Sequence, residues 1–145
     1  MHSSLRNIGL PSISALLLSA AVLSGSGCGD SGKAQVTGKI TFKDGSVPQG
    51  GQKVITFQPA ADSTAETKKG ASADIREDGT YELFSARPGD GVFYGKYKVI
   101  VNVLGDYRGG ATKVADKYTK SDTTPFERVV DDPVETFDFE IEKAN

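Results

Sequence analysis

The chain has a single histidine, a single cysteine and no tryptophan among its 145 residues. The histidine is His2, close to the amino terminus and within a segment that resembles a cleaved leader. Without it, the rest of the chain cannot form Ser-His-Asp or Cys-His nucleophilic sites, a histidine general base or a histidine-based zinc site. We therefore predict that the chain is not an enzyme and carries no catalytic residues, no metal and no cofactor.

The chain also has little excess of either sign of charge. The chain has 17 lysines and arginines against 19 acidic residues, and its formal net charge is −2. The charges are interspersed, without a basic stripe or a long run of like charges. We therefore predict no nucleic-acid partner and no polybasic membrane patch.

One short apolar run stands near the amino terminus. Residues 13–23 (ISALLLSAAVL) carry no charge, follow Arg6 and precede small residues that end at Cys28. A charged flank, a short apolar segment and small residues at a cleavage site are typical of a secretory signal. As a helix this run would rise only ~16 Å, about half the hydrocarbon core of a bilayer, which disfavours a spanning helix. We predict that residues 1–27 are a signal peptide.

The residues around the only cysteine predict a modification. Residues 23–28 (LSGSGC) resemble the lipobox of bacterial lipoproteins, although Gly25 stands where leucine is usual. The resemblance implies lipidation of Cys28, attachment to a membrane and a place in the cell envelope, periplasmic or surface-exposed. Gly29 follows the cysteine instead of aspartate, which favours the outer membrane. The alternative is an ordinary secreted protein that keeps a free thiol.

After a polar tether at residues 28–34, apolar and polar residues alternate with period two, which is typical of half-buried strands. One apolar face per strand needs a second sheet to cover it. We predict one domain over residues 35–145 with an all-β fold, a seven-stranded antiparallel β-sandwich. The predicted strands are residues 35–43, 53–58, 71–76, a return strand with Tyr81 and Leu83 inward, 93–104, 126–130 and 135–142.

Two connections between these strands differ in character. Asp78-Gly79 stands between two alternating runs and predicts a tight hairpin. Residues 105–125 show no clear period, although residues 114–118 could form one helical turn. An unstructured loop of that length is uncommon in a compact domain, so it is either functional or contains an element that the pattern hides.

Three segments of the chain are similar to a known family. They are residues 36–59 (VTGKITFKDGSVPQGGQKVITFQP), 74–83 (DIREDGTYEL) and 95–103 (GKYKVIVNV). Together they resemble carboxypeptidase-regulatory-like domains, and in particular the small bacterial lipoproteins built around one such domain. The resemblance covers residues 35–142 and implies a transthyretin-like (prealbumin-like) or Ig-like sandwich. It implies an accessory, adhesion or structural role, and some related domains bind carbohydrate.

The long segment 105–125 holds the candidate ligand contacts, which are Tyr107, Arg108 and Tyr118. Aromatic rings beside polar groups can stack on a sugar, and loops on a rigid scaffold often carry binding residues. A glycan is the ligand that this pattern favours, and the alternative is that the tyrosines only pack a mobile loop against the domain. The partners considered for the chain are therefore a glycan or an envelope protein.

Several aspartates have both a functional and a local interpretation. Asp44, Asp78 and Asp90 each precede glycine, and their oxygens could serve as calcium ligands. Because the three are scattered along the chain, we interpret them as turn residues. The pair Asp131-Asp132 is likewise interpreted as a solvated turn before Pro133.

Three classes of function remain open at this stage. The first is a membrane-anchored, non-enzymatic envelope lipoprotein with a structural or protein-interaction role. The second is a carbohydrate-binding module of the cell surface. The third is an enzyme of an unrecognised type, which would need a Ser-Lys dyad or paired carboxylates in a concave pocket.

Overall fold

The computed structural model describes residues 32–145, and that part of the chain is all-β, as predicted. The predicted signal peptide, Cys28 and most of the predicted tether lie outside the described residues. None of the helical structure in the described part is long and apolar enough to cross a membrane. The strands are β1 (Lys33–Phe42), β2 (Gln52–Pro59), β3 (Ala71–Asp74), β4 (Thr80–Glu82), β5 (Val92–Phe93), β6 (Gly95–Asp106), β7 (Gly109–Thr112), β8 (Glu127–Val130), β9 (Val134–Thr136) and β10 (Phe139–Ile141), with one 3-10 turn at Asp116–Tyr118.

The strands form two sheets, the two layers of a β-sandwich. In the first sheet β1 is central: β4 and β5 pair with it antiparallel along one edge, and β9 and β10 pair with it parallel along the other. The second sheet has the order β3-β2-β6. Both β7 and β8 pair with β6, at successive segments of its far edge.

The core consists of the residues that the alternation places inward. Ile40 on β1 and Ile55 and Phe57 on β2 are fully buried, and β6 buries Tyr97 and three valines at every second position. Removing such a side chain from water contributes about 1.5–3 kcal/mol, so the two apolar faces hold the sheets together. The longest strand, β6, is central in the second sheet, because it has partners on both edges.

The structure corrects the predicted strand count and the predicted all-antiparallel pairing. Among the described residues there are ten strands. β5 separates from β6 at Tyr94, the last predicted strand breaks at residues 137–138, and β7 forms inside the segment 105–125. β9 and β10 also run parallel to β1. Alternation indicates that a strand exists but not the direction of its neighbour, since parallel and antiparallel strands share the same period.

The break between β9 and β10 lies beside Gly38 of β1. There the Asp138 side chain, through Oδ1, accepts the Lys39 N–H at 2.8 Å. A Cβ at Gly38 would lie only 1.9 Å from the Phe137 carbonyl oxygen. The buried Tyr81 hydroxyl on β4 donates a hydrogen bond to that same oxygen, at 2.5 Å. Gly38 therefore permits a close approach of the two chain segments that any larger residue would prevent.

Isolated bridges connect the two sheets on both sides of the sandwich. Ser72 pairs with Phe84 beside β3 and β4, and Val114 pairs with Lys143 beyond β7 and β10. The predicted turn at residues 78–79 forms, but the strands on either side diverge, because β3 joins β2 and β4 joins β1. The Ser72–Phe84 and Val114–Lys143 bridges cover strand edges that would otherwise present unpaired backbone groups to other chains.

Candidate functional site

Two of the predicted ligand contacts, Tyr107 and Arg108, form the turn between β6 and β7. Tyr107 is 83% exposed, and the Arg108 N–H donates to Asp106 Oδ1 at 2.8 Å. Gly109 and Gly110, the first two residues of β7, have φ angles of +116° and +99°, which favour glycine. The segment therefore contains an element that the pattern hid, and it presents an aromatic ring and a guanidinium at a hairpin tip.

The third predicted contact, Tyr118, lies in the core. It belongs to the 3-10 turn and is 3% exposed. Its ring stacks on Phe126 with centroids 5.1 Å apart, and Phe126 packs against Phe139 at 4.9 Å. Tyr118 therefore offers no ring to a ligand, and the structure does not bring the three predicted contacts together on one surface.

Two cavities of similar size lie at opposite ends of the sandwich. The proximal cavity, about 580 Å³, is beside Gly32, just before β1 begins. The distal cavity, about 540 Å³, is beside Phe42, where β1 ends. Both volumes fall in the range of about 300–1,000 Å³ that is usual for small-molecule sites.

Most of the charged residues that line the proximal cavity are acidic. Asp62, Glu66 and Asp131 line it, against a single lysine, Lys96. Lys96 Nζ lies 2.7 Å from the Asp62 carboxylate and 2.9 Å from that of Glu127. Hydrogen bonds to these two carboxylates raise the pKa of Lys96. Its charge is thus engaged by acidic partners, and the rest of the lining remains negative.

The charged side chains of the distal cavity are basic, and its lining also includes Asn145, the last residue of the given sequence. Phe42, Val47 and Ala111 give it an apolar surface, and Lys113 and Lys143 are the charged side chains of its lining. Lys143 Nζ lies 5.2 Å from the centre of the Phe42 ring, within the range of a cation–π contact. No ion pair to Lys113 occurs in the part of the chain that the structure describes.

Lys143 of the distal cavity forms an ion pair, and its neighbour in the chain, Glu142, forms two. Lys143 Nζ lies 2.6 Å from Asp44 Oδ2, and this hydrogen bond is the main reason that the pKa of Asp44 is well below its usual range. Glu142 binds Lys117 at 2.6 Å and Lys43 at 2.5 Å, and these two contacts lower the pKa of Glu142 to about 2. Both carboxylates are therefore ionised at neutral pH.

The three aspartates that precede glycine accept backbone hydrogen bonds within their own loops, and two of them also bind a lysine from another segment. Asp44 and Asp78 each accept the backbone N–H of the residue two positions later, at 3.0 Å. Asp90 accepts the Ser85 N–H at 2.9 Å and binds Lys33 Nζ at 3.0 Å. These contacts support their interpretation as turn residues.

A cluster of acidic side chains follows β8. Ligand atoms of Asp131, Asp132 and Glu135 lie within 4.8 Å of one another. The Glu135 carboxylate accepts the backbone N–H groups of Asp131 and Asp132, each at 3.2 Å. Because Asp131 and Asp132 are exposed, this arrangement is that of a solvated turn whose backbone donors Glu135 satisfies.

The residues of the distal cavity were not recognised from the sequence. Lys113 and Lys143 are far apart in the chain, and nothing in the sequence around either one distinguishes it from an ordinary exposed lysine. Pairing of Val114 with Lys143 brings their segments together, and no local motif marks such a pairing. Comparison of the chain with known protein families, curated proteins and solved structures gave no match.

Proposed function

We propose that this protein is a non-enzymatic lipoprotein of the cell envelope, held at a membrane through acyl chains on Cys28. Its β-sandwich then serves a structural or protein-interaction role. The observation that carries this proposal is the position of the only cysteine, directly after an uncharged run of 11 residues and a cluster of small residues. Several buried acyl chains would anchor it stably, because each buried CH₂ contributes about 0.8 kcal/mol. Gly29 after the cysteine favours the outer membrane.

The start of the fold supports a short connection to the membrane. β1 begins at Lys33, two residues before the strand that the sequence predicts. The four steps from Cys28 to Gly32 span at most ~14 Å. An acylated Cys28 would hold the proximal cavity close to the bilayer, while the distal cavity and Tyr107 would point away from it.

The proposal extends to the family that the sequence resembles, the carboxypeptidase-regulatory-like domains with a transthyretin-like fold. The two-sheet architecture and the turns at residues 44–45 and 78–79 support it. The carbohydrate-binding alternative has less support, because Tyr118 is buried and Tyr107 is then the one exposed ring among the three predicted contacts.

Metabolic labelling tests the anchor directly. The full chain is expressed in a bacterial host that has the lipoprotein pathway, together with a clickable fatty acid. We expect the wild type to be labelled and to sediment with membranes, and Cys28→Ser to show neither property. Equal labelling of the two chains, or no labelling of either, would overturn the proposal.

A matched control separates the position of the thiol from its mere presence. Ser31→Cys in the Cys28→Ser background moves the only thiol three residues along the chain. Because lipobox processing requires the cysteine directly after the small residues, this double variant should remain unlabelled. Labelling of the displaced thiol would indicate acylation by another route and would contradict the proposed signal.

A further inference from the structure

The outer edge of β9 presents backbone groups that no strand pairs with. At its two ends, the Pro133 carbonyl and the Phe137 N–H bond to β1, at 2.8 Å and 2.9 Å. Because successive residues of a strand direct their N–H and C=O groups to opposite edges, those of Val134 and Thr136 point away from β1. Within the described part of the chain β9 pairs only with β1, so these four backbone groups form an open sheet edge.

The segment that forms this edge carries charge of one sign. Residues 131–140 contain five acidic side chains and neither lysine nor arginine. Asp131, Asp132 and Glu140 are exposed and form no ion pair with any described residue. The Arg128 guanidinium of the neighbouring β8 lies over the Phe139 ring instead, 4.8 Å from its centre. The open edge is therefore bordered by carboxylates that a partner could neutralise.

We propose that the β9 edge binds an extended basic segment of a partner protein, which adds to the first sheet as an outer strand. Backbone hydrogen bonds to Val134 and Thr136 would give the pairing, and lysine or arginine side chains of the added strand would face the carboxylates. Val134 is 73% exposed and offers an apolar contact to the same strand. This inference rests on the protein-interaction role proposed above, whereas labelling of Cys28 tests the anchor separately.

The charge of the edge selects among possible occupants. A second copy of this chain is disfavoured, because two β9 edges would bring their acidic side chains together, and like charges on opposed strands are destabilising. Charged residues on an edge can also serve only to keep other strands away. An edge with that role alone would not gain affinity for a basic strand through backbone pairing, so binding of such a strand distinguishes the two interpretations.

Three acetylated and amidated peptides of equal length test for strand addition. They are the basic peptide KTVKVTK, the acidic peptide ETVEVTE, and the basic peptide with N-methyl groups on its three central residues, which keeps its charge but loses those backbone donors. Each is titrated into the full chain, labelled with nitrogen-15, in non-denaturing detergent micelles, with protein-free micelles as the blank. We expect saturable binding of the basic peptide, at least about fivefold tighter than either of the others.

The backbone amides locate the added strand. Binding of the basic peptide should slow the solvent exchange of the Val134 and Thr136 amides, whereas the Phe137 amide is already bonded to β1 and should change less. No saturation by about 5 mM, or equal affinity of the N-methylated peptide, would overturn the proposal. Binding without slower exchange at residues 134 and 136 would also overturn it.

A matched pair of charge variants tests the role of the carboxylates. Asp132→Asn combined with Glu140→Gln should weaken binding of the basic peptide by at least about threefold, the effect of losing exposed ion pairs. The control, Asp74→Asn combined with Asp122→Asn, removes the same charge at exposed positions elsewhere and should leave the affinity within about twofold. Equal weakening by both variants would indicate attraction by net charge alone and would refute the assignment, as would an unchanged affinity of the edge variant.

Discussion

Phe139→Ala should lower the free energy of unfolding by about 4 kcal/mol. The ring is 2% exposed and lies between the sheets, with centroids 4.9 Å from Phe126 and 6.3 Å from Phe57. The Arg128 guanidinium carbon lies 4.8 Å from the centre of the ring. Truncating a buried phenylalanine costs about 3–5 kcal/mol, and aromatic or cation–π partners each contribute about 0.5–1.5 kcal/mol beyond burial. The expected loss is large against a typical total stability of about 5–15 kcal/mol.

Urea unfolding measured by far-UV circular dichroism is the suitable assay, because the chain has no tryptophan for fluorescence. With a slope of about 2 kcal/mol per molar urea, the midpoint should fall by roughly 2 M. Tyr107→Ala removes an exposed ring and should change stability by less than about 0.5 kcal/mol. Phe139→Leu, with a loss of about 1.5 kcal/mol, remains measurable if the alanine variant does not fold. A loss below about 1 kcal/mol for Phe139→Ala would show that the ring is not enclosed between two sheets.

Three further changes test other contacts. Gly38→Ala should lower the free energy of unfolding by about 3 kcal/mol or more, because its Cβ would lie 1.9 Å from the Phe137 carbonyl oxygen. The control is Gly105→Ala, whose Cβ would have its nearest contact at 3.6 Å and which should melt like the wild type. Equal melting temperatures of the two variants would refute this prediction. Tyr81→Phe leaves the Phe137 carbonyl without its hydroxyl donor and should cost about 1–2 kcal/mol in the same urea titration, and an unchanged midpoint would contradict it. Glu142 has a pKa lowered from 4.5 to about 2, so its stabilising effect is complete above about pH 4.5 and is lost as the pH falls towards 2. Glu142→Gln should therefore reduce the dependence of stability on pH across that window, and identical acid titrations would count against the ion pairs.

The buried face of each strand was predictable because side chains alternate along a strand with period two. Ile40, Phe57 and Val101 are inward for this reason. The strand that pairs with each one was not predictable, because the same alternation fits a parallel neighbour and an antiparallel neighbour. The short strand at residues 109–112 was also hidden, because two of its four residues are glycines that contribute no side chain to an alternation.

The candidate site was less predictable than the fold. Tyr107 is exposed because it stands in a two-residue hairpin turn, a position that follows only once β7 is known. Tyr118 is buried because its ring stacks on Phe126, and in a segment without period the sequence does not indicate whether an aromatic side chain points inward or outward. The distal cavity is assembled from residues before β2, on β7 and after β10, and only pairing between distant segments brings these together.

The parallel pairing of β1 with β9 and β10 also governs how the chain reaches its folded state. Residues 35–42 meet partners that are 99 positions later in the sequence. Contacts of such high sequence separation require a large loop to close before they form, and they slow folding. β1 can therefore pair with β4 and β5 early, but its other edge stays open until β9 and β10 have been synthesised. On the proposed route, this delay would keep the chain unfolded while it crosses the membrane, and the sandwich would close only after residues 134–141 have emerged on the far side.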